Sequence, residues 1–258
     1  MERFFDLTGK VALVTGASSG LGADAARAYA RHGADVALLA RREEKLRAVA
    51  AEIAETGRRV LTIGCDVTDE EQVRRAVERV VAEFGRIDIL LNNAGVAVRG
   101  TVEELSAEEW KRGMDTNVEG IFLMSKYVVP HMRARRYGRI VNVSSVNAFI
   151  ADKHPALARH VYNASKAGVL GLTRGMAASY GVDGITVNAV CPGLFESEMT
   201  EGTLFKNEEF MRMYNLVNPM GRPGRRGELN GTILYFSSDA SSYVTGQYLT
   251  VDGGGGIV

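Results

Sequence analysis

Cysteine is scarce: only Cys65 and Cys191 occur in the 258 residues. Both lie in apolar, strand-like contexts, "LTIGCDV" and "TVNAVCPG". This excludes a disulfide framework and shows no metal-ligand spacing, so no metal is expected and a reducing cytosol is the expected compartment. Charge of one sign is also missing, since 31 Lys and Arg balance 31 Asp and Glu to a formal net charge of zero. Nucleic acid is therefore not expected as a partner, because such binders carry a basic excess. An anionic small molecule needs only a few local cations and stays open. "MERFFDLTGK" has no apolar run of signal-peptide length, and no segment is apolar for long enough to span a bilayer, so no membrane partner is expected. No repeat, low-complexity tract or proline-rich linker divides the chain. What remains, 46% hydrophobic and 24% charged residues, fits one large α/β domain over 1–258 with a full core.

Short apolar runs alternate with helix-period segments. The strands expected are 10–16, 34–40, 59–67, 87–95, 138–145, 184–193 and 247–254. The first three helices are expected over 21–33, 42–57 and 69–85, each ending in glycine and the third opening on Asp69 and glutamates at its positive end. Nearly continuous apolar strands alternating with helices predict a Rossmann-type, doubly wound parallel sheet covered on both faces, with right-handed crossovers. The rhythm breaks at 194–227, which reads as an insertion over the sheet.

"TGASSGLG" (15–22) joins the first strand to the first helix. Gly16, Gly20 and Gly22 let the backbone approach a pyrophosphate, and the helix N-terminus favours that charge. The second strand ends "LLARR". Ala40 stands where an acid would take the ribose hydroxyls of NAD, and Arg41 and Arg42 follow, so NADP(H) is preferred over NAD(H). In "YNASK", Tyr162 and Lys166 lie one helical turn apart on one face.

Together with "CDV" (65–67), "NNAG" (92–95), "DTNVEG" (115–120), "VNVSS" (141–145) and "CPG" (191–193), these motifs make the chain resemble a classical short-chain dehydrogenase/reductase over essentially its whole length. The resemblance implies Tyr162 as catalytic acid/base and Ser145 as donor to the substrate oxygen. It implies Lys166 as the partner of the nicotinamide ribose, and Asn117 as holder of a water linking Lys166 to solvent. The ammonium of Lys166 should pull Tyr162 down from its usual value of about 10, and the hydride belongs to the cofactor. Further cofactor contacts are expected from Ser18, Ser19, Leu21, Asp66, Val67, Asn93, Ala94, Gly95, Pro192, Gly193, Phe195 and Ser197. The family usually has threonine where Ser197 stands. A homotetramer is implied, built through the helices at 101–135 and 161–180.

Two segments bear on the substrate. "VNAFIADKHPALARHV", longer than is common in the family, brings Lys153, His154, Arg159 and His160 against Asp152 alone, a candidate cationic rim. The segment 194–224 is a candidate lid rich in Phe and Met, including Phe210 and Met213, and methionine adapts to irregular apolar shapes. An apolar lid with a basic rim favours a bulky amphipathic alcohol or ketone such as a hydroxysteroid or bile acid. A gluconate 5-dehydrogenase or a 3-oxoacyl-carrier-protein reductase remains an alternative, the latter with Arg133, Arg135, Arg136 and Arg139 as docking candidates. An NADP(H)-binding sensor or scaffold without catalysis is the rival of another class.

Overall fold

The computed structural model describes residues 4–153, 157–201 and 204–258, with the backbone alone for Met199 and Glu201. His154 lies outside the described residues. Every residue of the first strand, β1 (Val11–Thr15), is buried, as a strand covered on both faces requires. The helix α1 (Gly20–Arg31) follows, then β2 (Asp35–Ala40), α2 (Glu43–Ala54), β3 (Val60–Gly64), α3 (Glu70–Phe84) and β4 (Ile89–Asn92). The Asp69 side chain caps α3 by accepting from the Gln72 amide, and Gly85 ends it in the left-handed region at φ 75°. Then come α4 (Ala107–Met114), α5 (Gly120–Arg135), β5 (Gly138–Val143), α6 (His160–Tyr180), β6 (Ile185–Pro192), α7 (Glu198–Glu201), α8 (Glu208–Val217), α9 (Asn230–Ser237) and β7 (Tyr248–Val251).

Among the described residues the seven strands form one parallel sheet in the order β3-β2-β1-β4-β5-β6-β7. Alternation along each strand divides the core. Ala12, Val14, Val36 and Leu38 pack with α1, α2 and α9, whereas Leu13, Ala37, Leu39 and Leu90 pack with α3, α5 and α6. Each such leucine, fully withdrawn from water, contributes about 1.5–3 kcal/mol. The strand order reverses direction between β1 and β4. A crevice opens there at the carboxyl ends of the strands, the place where such sheets bind ligands.

Observed strands are shorter than the apolar runs because their last residues leave the ladder. Asn93–Gly95 and Ser144–Ser145 turn away from the sheet into this crevice. The expected helix over 101–135 is divided: between α4 and α5 the backbone widens into a π turn over Asp115–Glu119. Such turns frequently mark functional sites, and this one turns Asn117 fully inward. Among the described residues no helix is long and apolar enough to cross a membrane, and no cluster of three His, Cys, Asp or Glu side chains could hold a metal ion.

Candidate active site

A cleft of about 970 Å³ runs along the carboxyl ends of the central strands, from Arg41 and Arg42 at one end to Tyr162 and Lys166 at the other. Its floor is the glycine turn. Gly16 adopts φ +65°, and a Cβ there would come 2.8 Å from Asn93 Nδ2 and 2.9 Å from Ala94 Cα. A Cβ on Gly22 would come 2.3 Å from the same amide and 2.6 Å from the Gly16 carbonyl. The crowding is purposeful: Asn93 Nδ2 donates to the carbonyls of Thr15 at 3.0 Å and Gly16 at 3.2 Å. Asn93 is thus a strut beneath the turn, and Ala94 and Gly95 carry the cleft wall onward. Ser19 stands at the N-cap of α1 without a side-chain capping bond, and no acid occupies the first turn. The helix therefore keeps free N–H groups and a positive end toward the cleft, which fits a pyrophosphate. Ser18, Gly20 and Leu21 line the same stretch.

At the end of β2 the two arginines part. Arg41 is 72% exposed and reaches Asp66 at 3.8 Å. Arg42 turns back to the glycine turn, where its Nη2 donates to Ser18 Oγ at 3.2 Å and Ser19 Oγ at 3.0 Å, and to Glu198 Oε2 at 2.7 Å. Lys45 also bonds Glu198. Lys45 first, and Arg42 next, hold the Glu198 carboxyl down to about 2. Sequence reasoning missed Lys45 and Glu198. Lys45 was readable, since it lies one turn beyond Arg42 on α2. Glu198, 156 positions from Arg42, had no local signal. Asp66 closes a tight turn by accepting from the Thr68 amide and hydroxyl at 3.0 and 2.8 Å. Val67 is buried against Gly120, whose Cβ would come 2.8 Å from Val67 Cγ2.

At the other end, β5 delivers Ser145 and α6 delivers Tyr162 and Lys166. Lys166 is 4% exposed. Its Nζ donates to the Val143 carbonyl at 2.8 Å and lies 5.6 Å from the centre of the Tyr162 ring. Ser144 Oγ locks the helix to the strand by donating to the Lys166 carbonyl at 2.7 Å. Burial raises Tyr162 above its usual value, and a hydrogen bond to Ser145 opposes it. Burial also lowers Lys166 to about 8. The tyrosine is thus raised in this structure, where the sequence leads us to expect it lowered. Desolvation acts on both groups first, and hydrogen bonding to Ser145 is the main opposing influence on Tyr162.

Asn117 is held on both sides. Its amide donates to the Val96 carbonyl and Ser165 Oγ, both at 2.9 Å, and its Oδ1 accepts from the Val96 amide at 2.8 Å. The side chain is a brace between the loop after β4 and α6, with its amide hydrogens committed to protein acceptors. Pro192 ends β6, and Gly193 follows with no room for a Cβ, which would come 2.7 Å from Asp252 Cβ. Phe195 lines the cleft with Pro192 and Gly193, and its ring is anchored in the core beneath Gly224. Ser197 Oγ pairs with Thr200 Oγ1 at 3.1 Å, and Thr200 lines the cleft beside it.

On the substrate side the expectations divide. Arg159 lines the cleft, donates to the Leu157 carbonyl at 3.1 Å and meets Asp152 at 3.5 Å. His160 faces elsewhere, with Nδ1 accepting from the Val102 amide at 3.0 Å, and Lys153 is outside the cleft lining. The missed cations are Arg99, Lys111 and Arg112 on the opposite wall. Phe210 lines the cleft and stacks on Tyr214 with ring centres 6.2 Å apart. Met213 is 52% exposed and outside the lining, because it lies on the outer face of α8. Leu216 and Met220 are likewise exposed. Among the docking candidates, Arg139 is buried and pairs with Asp239 at 2.9 Å, and Arg133 pairs with Asp183 at 2.8 Å. Both cysteines are buried, their thiols pushed up to about 11 by burial, so neither is a ready nucleophile.

A family model described as enoyl-(acyl carrier protein) reductase matches residues 16–255. Gluconate 5-dehydrogenase of Gluconobacter oxydans is 42% identical over 250 residues, covering 97% of this chain and 96% of that protein. A 3-oxoacyl-[acyl-carrier-protein] reductase of Thermotoga maritima is 39% identical over 249 residues, covering 96% and 98%. The crystal structure of a gluconate 5-dehydrogenase from Burkholderia cenocepacia in complex with NADP and tartrate superposes with a TM-score of 0.92 at 36% identity, covering 98% of each chain.

Proposed function

The chain belongs to the classical short-chain dehydrogenase/reductase family, and from that premise we propose an NADP(H)-dependent interconversion of a secondary alcohol and a ketone on a small polar acid, of which gluconate is the type. The observation that carries this reading is the meeting of Ser145, Tyr162 and Lys166 in a cleft whose outer walls carry Arg159, Arg99 and Arg112. A nicotinamide cofactor lying along the glycine turn would supply or accept the two electrons of the reaction. Gly16, Gly20 and Gly22 would cradle its pyrophosphate, and Arg42, Lys45, Ser18 and Ser19 its 2′-phosphate.

The chain's own chemistry is proton handling. Tyr162 gives its hydroxyl proton to the substrate oxygen in reduction and takes it back in oxidation. Ser145 donates a hydrogen bond to the same oxygen, holding it at the tyrosine. Lys166, one turn along α6, is a charge that favours the phenolate, and its tether to the Val143 carbonyl fixes its position.

The hydroxysteroid expectation gains no support. Of the apolar residues counted toward the lid, Met213, Leu216 and Met220 face solvent, and the relatives compared are named for a sugar acid and an acyl thioester. A 3-oxoacyl thioester is the second reading, favoured by the Thermotoga relative and by the family description. The test is kcat/KM for gluconate or its keto form, a short 3-oxoacyl thioester and a bile acid. The order expected is the order given. Arg159→Ala should raise KM for gluconate several-fold, on the order of 1 kcal/mol, with the effect shrinking in salt. A preference for the bile acid would overturn the substrate assignment while leaving the reductase chemistry.

A homotetramer is part of this proposal. Phe122 on α5 and Trp110 on α4 are exposed. On α6 a Cβ at Gly171 or Gly175 would meet nothing within 4 Å, an open face that allows close approach of another helix. Light scattering at micromolar protein should return four times the chain mass, and a monomer mass would contradict it.

A further inference from the structure

We propose that Glu198 is a specificity-determining residue whose carboxylate competes with the cofactor's 2′-phosphate for Arg42 and Lys45, and so limits the preference for NADP(H) over NAD(H). The proposal rests on the reading that Arg42 and Lys45 receive that phosphate. Its basis is where Glu198 sits. The guanidinium of Arg42 and the ammonium of Lys45 both bond its carboxylate, and Ser19 adds a hydroxyl. The same Arg42 nitrogen reaches Ser18 and Ser19. One guanidinium, one ammonium and two hydroxyls at the ribose end of β2 form a receptor for an anion, and here the anion comes from the chain itself.

The competition follows from charge. A phosphate presents three acceptor oxygens and close to two negative charges, a carboxylate two oxygens and one charge. Both cannot hold the same donors at full strength, and a dianion brought beside Glu198 is also repelled by it. A ribose that keeps its 2′-hydroxyl brings no charge and need not displace the carboxylate. Glu198 therefore disfavours the phosphorylated nucleotide selectively. If it were only a surface ion pair, its removal would change neither nucleotide.

The probes are 2′,5′-ADP and 5′-ADP, which lack nicotinamide, so calorimetry reads binding with no turnover. Glu198→Gln keeps the size and removes the charge. It should tighten 2′,5′-ADP about fivefold at low salt while leaving 5′-ADP unchanged, with the gain fading as salt screens the site. Glu198→Ala must move in the same direction, and in the Arg42→Ala/Lys45→Ala background the gain should vanish. Unchanged or weakened 2′,5′-ADP binding in both Glu198 variants would overturn the competition. If the Arg42/Lys45 variant still lost 2′,5′-ADP selectively, the NADP(H) reading would survive that result. Equal loss of both nucleotides in the Arg42/Lys45 variant would instead sink the NADP(H) reading, and the competition with it.

Discussion

Replacing Tyr162 by phenylalanine is expected to lower kcat on the order of 10²- to 10⁴-fold, the usual contribution of a positioned acid or base, with cofactor affinity unchanged. The ring remains against its neighbours and only the hydroxyl goes. Ser145 keeps a partner, since its Oγ also accepts from the Asn147 amide at 3.1 Å, so the variant should fold normally. Stopped-flow or steady-state kinetics on the preferred substrate, with NADPH binding followed by fluorescence, would separate the two quantities. Retained kcat would remove Tyr162 from the chemistry and return the cleft to a binding role, the sensor or scaffold alternative.

The second large effect concerns the ribose end. The double substitution Arg42→Ala/Lys45→Ala should raise the Kd for NADPH roughly 10- to 100-fold, as expected for losing charge-assisted hydrogen bonds of about 1.5–3 kcal/mol in total. NADH should change little. Arg41→Ala alone should do much less, because Arg41 projects into solvent toward Asp66. The sequence placed both arginines at the end of β2 and put Arg41 first as the residue that sets cofactor choice, with Arg42 as its substitute. Which one turns back depends on how α2 leaves the strand, and only the bonds to Ser18 and Ser19 reveal it.

That case shows where sequence reading reached its limit. The sheet was legible because buried parallel strands need unbroken apolar runs, and "VALVT", "ILLN" and "ITVNAVCP" are such runs. The glycine turn was legible because its glycines have no substitute: a side chain on Gly22 collides with Asn93. The set Ser145, Tyr162 and Lys166 was legible from motif and helical spacing. What escaped was the division of labour among side chains brought together from distant segments. The side chains of Asn117 and Asn93 are struts between distant segments, a role no local pattern announces. Phe195 lines the cleft and is also an anchor in the core, a second role its motif does not show. Met213 reads as lid lining and faces water. Arg99 and Arg112 join Arg159 only because the loop after β4 and α4 form the opposite wall. None of these is a property of local pattern, and each depends on which face of an element meets the cleft.

The excursion that carries α7 and α8 leaves the sheet and returns at one point. Phe195 and Gly224 form a parallel bridge, the Gly224 amide donates to the Leu194 carbonyl at 2.9 Å, and the Phe195 ring occupies the place where a side chain on Gly224 would stand. With both ends fixed at this neck, the intervening residues can change in length and sequence without altering the register of β6 or β7, and loop length itself adds little entropic penalty. The segment is in effect an exchangeable cassette. Yet it holds Phe210 over one end of the cleft and Glu198 against Arg42 at the other. On the function proposed above, exchange of the cassette between related chains would transfer substrate range and coenzyme selectivity as one inherited unit, even though the glycine turn, Arg42 and Lys45 stay behind.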